Sequence, residues 1–94
     1  NYEEKNCSEY SFAEAVSWFK NNYPEGMTGI KAGLLKKKND NGIITVHHFF
    51  VSIDEAPLLN CPFPHGMVNA LTLDLDLSNH FNNKNLLIIK NDFL

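Results

Sequence analysis

The sequence predicts a single α+β domain in which an N-terminal amphipathic helix packs on a four-stranded, mainly antiparallel sheet. Three observations predict it. A helix pattern with its own start and stop signals covers residues 12–23, an Asn41-Gly42 turn separates two apolar runs, and leucines alternate with polar residues over 71–77. At 94 residues the chain suits one core, residues 1–94, and leaves little room for a second.

The helix signal is local and complete. Ser11-Phe12-Ala13-Glu14 forms a capping box, with Ser11 as N-cap and Glu14 reaching back. Phe12, Val16, Phe19 and Tyr23 fall on one stripe flanked by Ala15, and Pro24 and Gly26 end the element. Burying such a stripe contributes ~1.5–3 kcal/mol per large side chain. Trp18 lies roughly 100° away from it. It either packs under the N-terminal segment or stands exposed as an anchor for a partner. Residues 1–10 are polar and charged, and read as a loose lead-in.

Strands are expected at about 28–37, 43–53, 69–77 and 86–90. The first two form a hairpin, because Asn and Gly both tolerate the positive φ that tight turns need. The return strand is apolar on both faces, with Ile43, Phe49, Val51 and Ile53 on one and Ile44, Val46 and Phe50 on the other. Such a strand is central and covered on both sides, by the chain itself or by a partner. Residues 54–66 carry Pro57, Pro62 and Pro64 and read as a loop tacked down by Leu58, Leu59 and Phe63. In the third strand Leu71, Leu73, Leu75 and Leu77 are expected to face the core, leaving Asp74 and Asp76 in water.

Composition narrows the function classes. All eight basic residues are Lys, the net charge is -3 and the pI about 5.7. Without Arg there is no planar fork for bidentate phosphate or guanine recognition, and an acidic chain lacks the field for non-specific nucleic-acid binding. No apolar run approaches the ~20 residues of a membrane span, so the expectation is a soluble protein with neither nucleic acid nor membrane as partner. Cys7 and Cys61 form no CxxC pair. They read as two reduced thiols of a cytoplasmic protein, or as one disulfide if the chain is exported.

Candidate chemistry is sparse. His47 and His48, with His65, His80, Asp74 and Asp76, invite a metal, but adjacent strand residues point to opposite faces and cannot easily share one ion. Cys61 beside His65 lacks a helix N-terminus to lower its thiol pKa. Asp74 and Asp76 share a strand face at ~6–7 Å, a spacing that ordinary solvated sheet also produces. The Lys36-Lys37-Lys38 cluster fits a solubilising hairpin tip. No cofactor and no metal is therefore expected. Asp54, Glu55, Asp74 and Asp76 instead suggest a negative patch, with Trp18 and Phe50 as aromatic anchors, suited to a basic protein partner. The expected function is a non-enzymatic acidic protein-binding module of the inhibitor or immunity type, neutralising a basic partner such as a nuclease toxin. Two alternatives stand beside it: a small metal- or Cys/His-dependent enzyme using His47, His65, Cys61 and Asp74, and a subunit forming a homo-oligomer through its sheet.

Overall fold

The N-terminal segment is a strand. In the computed structural model, which describes residues 2–60 and 63–94, β1 (Tyr2–Tyr10) lies parallel to β5 (His65–Leu73), from Tyr2 opposite His65 to Tyr10 opposite Leu73. Its side chains are exposed apart from half-buried Cys7 and buried Tyr10, so no apolar alternation marks it in the sequence. Its backbone pairing is supplied by a segment more than fifty residues away. The loose lead-in expected for residues 1–10 is corrected accordingly.

Helix α1 (Phe12–Asn22) follows as expected, with both halves of the capping box formed at Ser11 and Glu14. The hairpin of β2 (Lys31–Lys38) and β3 (Ile44–Val51) is also present, with Lys38 opposite Ile44 and Lys31 opposite Val51. In its turn only Gly42 takes positive φ, +86°. Asn41 instead accepts the Ile43 amide with its side-chain oxygen. A short β4 (Pro57–Leu58) pairs with Phe50 and Val51 of β3. It lies beside β3 just past His48, the last β3 residue paired with β5. Helix α2 (Leu75–Phe81), β6 (Leu86–Ile89) and a 3-10 turn (Asn91–Phe93) complete the chain.

The sheet order is β1-β5-β3-β2-β6, with β4 on the flank of β3. The four-stranded, mainly antiparallel sheet expected from the sequence is thus a mixed sheet of six strands among the described residues, with one parallel pair at its edge. Parallel neighbours need a long connection, and the chain between β1 and β5 supplies it.

The largest correction falls on residues 71–77. β5 stops at Leu73, Asp74 becomes a helix N-cap, and Leu75 starts α2. The Asp74 carboxylate accepts the Leu77 amide at 2.8 Å and the Phe12 amide at 3.3 Å, so it caps α2 and ties down the start of α1. Leu77 and Phe81, four apart, satisfy a helical period as well as Leu71 to Leu77 satisfy a strand period. The Asp74 cap, with its long-range hold on the Phe12 amide, and the burial of Leu77 in the core favour the helix. Leu77 is buried, whereas Leu71 and Leu75 are 64% and 76% exposed.

One core results. Ala32, Leu34, Val46, Phe50, Val68, Ala70 and Ile89 of the sheet meet Phe12, Ala15, Val16 and Phe19 of α1 and Leu77 and Phe81 of α2. Both helices therefore lie on the same face, and the Phe12 and His80 rings stack at 3.8 Å between them. The alternate residues, including Leu35, His47, Phe49, Met67, Asn69 and Leu86, point the other way. No helix among the described residues covers that second face.

Candidate docking surfaces

Two surfaces stand out, on opposite sides of the sheet. The first is a groove of about 350 Å³ between β1 and α1, walled by Glu3, Lys5, Glu14, Ser17, Trp18 and Asn21. Trp18 is half-buried on the helix side. Its indole packs against Phe19, His48 and Phe50, and its N–H donates to the Glu3 carboxylate at 2.8 Å. Gly66 makes room for this ring, because a Cβ there would sit 3.2 Å from Trp18 Cζ2 and 2.9 Å from the Glu3 carbonyl oxygen. Trp18 packs against the N-terminal strand and yet stays half-exposed in the groove, so it combines the two placements open to it from the sequence.

Beneath the groove lies a polar pair that the sequence pattern did not single out. The Tyr10 hydroxyl and His48 Nε2 share a 2.7 Å hydrogen bond. His48 is 1% exposed, and its Nδ1 has no hydrogen-bond partner among the described residues. Burial pushes the imidazole pKa down to about 4, against an opposing pull from the Val46 and Gly66 backbone. Burial chiefly, then Glu14, Cys7 and Glu3, push the Tyr10 phenol above its ordinary range. Both groups are therefore neutral, and the pair is a buried tie between β1 and β3. Burial and Glu14 also raise the Cys7 thiol, the reverse of what an activated nucleophile requires.

Charge is distributed unevenly across the sheet. Residues 2–17 carry Glu3, Glu4, Glu9 and Glu14 against Lys5, whereas the β2–β6 side carries Lys31, Lys36, Lys37, Lys38, Lys84 and Lys90. The β1 edge is acidic and the opposite edge basic. Lys5 and Glu14 form an exposed ion pair at 3.8 Å, which contributes little to stability.

The second surface is the helix-free face. Leu35, His47, Phe49, Pro57, Leu59 and His65 line a recess of about 340 Å³ there. Beside it a polar ribbon crosses the strands. Asn39 donates to the Thr45 hydroxyl, Thr45 donates to Asn69, and Asn69 donates to Glu4 and Asn6.

The acidic patch expected from the sequence is not assembled. Asp54 and Glu55 follow the C-terminal end of β3, while Asp74 and Asp76 follow the C-terminal end of β5, its antiparallel neighbour. They lie at opposite ends of the sheet, roughly 30 Å or more apart at ~3.3 Å per residue. Asp74 is engaged as a cap, Asp76 lies 3.4 Å from His80, and Glu55 meets Lys31 at 3.4 Å. Phe50 is fully buried and cannot anchor a partner. Of the six residues singled out for partner binding, Trp18 alone lines either surface.

Of the residues proposed for an enzyme, His47 and His65 share the recess, Asp74 lies at the far end of the sheet, and Cys61 falls outside the described residues, as does any Cys7–Cys61 disulfide. Among the described residues no three His, Cys, Asp or Glu side chains converge as metal ligands, and no helix is long and apolar enough to cross a membrane. No protein family, curated protein or solved structure matches this chain.

Proposed function

We propose that this protein is a non-enzymatic binding module of the inhibitor type that captures a basic polypeptide along β1 and the adjoining face of α1. One observation carries this reading: a nine-residue strand stands at the sheet edge with an acidic groove and a half-buried tryptophan beside it. An edge strand presents unpaired backbone donors and acceptors. An incoming strand takes up those groups, and pockets beside the edge select its side chains. Glu3, Glu9 and Glu14 attract a basic chain at a distance, and Trp18 offers aromatic area at the centre of the groove. The expected basic partner is kept. Its contact residues move from Asp54, Glu55, Asp74, Asp76 and Phe50 to Glu3, Glu9, Glu14 and Trp18.

Trp18 is the single tryptophan of the chain, so its fluorescence reports directly on the groove. A strand-forming peptide that alternates lysine with valine should change that emission saturably, with an affinity that falls as salt is raised. The same peptide with glutamate for lysine should not. Replacing Glu3, Glu9 and Glu14 together by Gln should weaken binding about tenfold or more, equivalent to ~1.4 kcal/mol. Equal binding of both peptides, or an unchanged affinity in the triple variant, would refute the assignment.

A further inference from the structure

We infer that the helix-free face of the sheet pairs with the same face of a second copy, about a two-fold axis running along the strands. This surface lies across the sheet from the β1–α1 groove and does not depend on what that groove binds.

β3 is central in the sheet and only one of its faces is packed under helices, although Thr45, Phe49 and Val51 of the second face are already buried within one copy. On the other, Leu35, Leu59, Leu71 and Leu86 are 41%, 55%, 64% and 50% exposed around Phe49 and Met67. Five columns at ~4.8 Å and about eight residues at ~3.3 Å give a face of roughly 600 Å². Laid over one another about β3, two such faces overlap mainly through β5, β3 and β2 and cover on the order of 800 Å², the size of a weak, concentration-dependent interface. Sheets stack face to face with their strands within about 30° of each other.

The charges on this face select the occupant and the axis. Glu4 stands on the β1 side of the face, hydrogen-bonded to Asn69 of β5, and Lys37 stands on the β2 side, opposite Thr45 in the register. Rotation about an axis along β3 exchanges the two sides. β2 of one copy then lies over β5 of the other, which brings Lys37 onto Asn69 and within side-chain reach of Glu4, twice per dimer. The same rotation sets Met67 over Leu35. An axis across the strands would instead lay β1 on β1 and β2 on β2, acid on acid and lysine on lysine, which like-charge repulsion disfavours. Of the two aligned packings, the charges favour the one about an axis along the strands.

Sedimentation velocity on the full chain over a wide concentration range should show a monomer–dimer equilibrium. Glu4→Lys and Lys37→Glu should each weaken association at least tenfold, because each places two like-charge pairs in the interface. Mixing the two variants should restore it, because every contact in the mixed dimer is again attractive. Leu35→Glu, at an exposed position, should give a monomer whose thermal unfolding no longer shifts with protein concentration. A wild-type protein that stays monomeric at every concentration, single variants that associate like wild type, or a mixture that fails to recover would each overturn the inference. Variants at Glu3, Glu9 and Glu14 leave this face intact, so peptide capture at the groove and self-pairing at the sheet succeed or fail separately.

Discussion

His48 is placed where an ionised side chain is most costly, under Trp18 and Phe19. A charged imidazole needs acceptors at both nitrogens; Nε2 meets the Tyr10 hydroxyl, whereas Nδ1 has no well-formed hydrogen bond among the described residues. Its pKa is about 4 in the folded chain and 6.5 in the unfolded one. Between those values the unfolded chain binds a proton that the native state refuses. The contribution is thus complete above pH 6.5 and is lost as the pH falls toward 4, for a total of about 3 kcal/mol. Denaturant midpoints measured between pH 7 and 5 should fall with acidification, and His48→Leu should flatten that slope. The bond itself is open to a double-mutant cycle. Tyr10→Phe alone leaves a buried imidazole nitrogen unpaired and should cost ~1–3 kcal/mol. Combined with His48→Leu, the loss should be smaller than the sum of the two single losses. Additive losses would mean that the 2.7 Å contact contributes nothing. Asp74 acts in the same local way. Asp74→Ala removes the acceptor for Leu77 and Phe12 and should cost about 1–2 kcal/mol in urea unfolding, whereas Asp76→Ala should cost little.

At the scale of elements, residues 71–81 show how one leucine pattern can satisfy two periods. As a strand it would bury Leu71, Leu73, Leu75 and Leu77 together. As β5 followed by α2 it buries Leu77 and leaves Leu71 and Leu75 in water. The two arrangements predict different mutational profiles. Leu77→Ala should cost ~2–5 kcal/mol, while Leu71→Ser and Leu75→Ser should stay within ~0.5 kcal/mol in denaturant titrations at protein concentrations low enough to keep the chain monomeric. Equal costs at all three positions would restore the strand. The same element boundary dissolves the acidic patch, because Asp74 changes from a solvent-facing strand residue into a helix cap. β1 shows the complementary case. Its acidic residues were visible, but their use was not, since its partner β5 is distant and its own alternation is silent. Glu3 and Glu14 meet at the groove only after that pairing forms.

For the whole molecule, topology governs both folding and recognition. Asn6 meets Asn69, 63 residues further on, so the β1–β5 pairing closes a loop that takes in most of the chain. A domain built on such distant pairings should fold in milliseconds to seconds, followed by stopped-flow Trp18 fluorescence; a microsecond relaxation would contradict the observed strand order. The strand order also separates the charge. It carries the N-terminal carboxylates to one edge and six lysines to the side of the other, a polarity that net charge alone conceals.

Local signals alone determined α1, the β2–β3 hairpin, β6 and the mixed α+β class, because a capping box, an Asn-Gly turn and an apolar period act between residues close in the chain. Long-range pairing decided the rest: the strand made from residues 2–10, the parallel edge, the helix that begins after Asp74, the burial of Phe50 and His48, and the face left without helices. In each of these the stabilising partner lies tens of residues away, or two local patterns are nearly equal in strength and only the packed core selects between them.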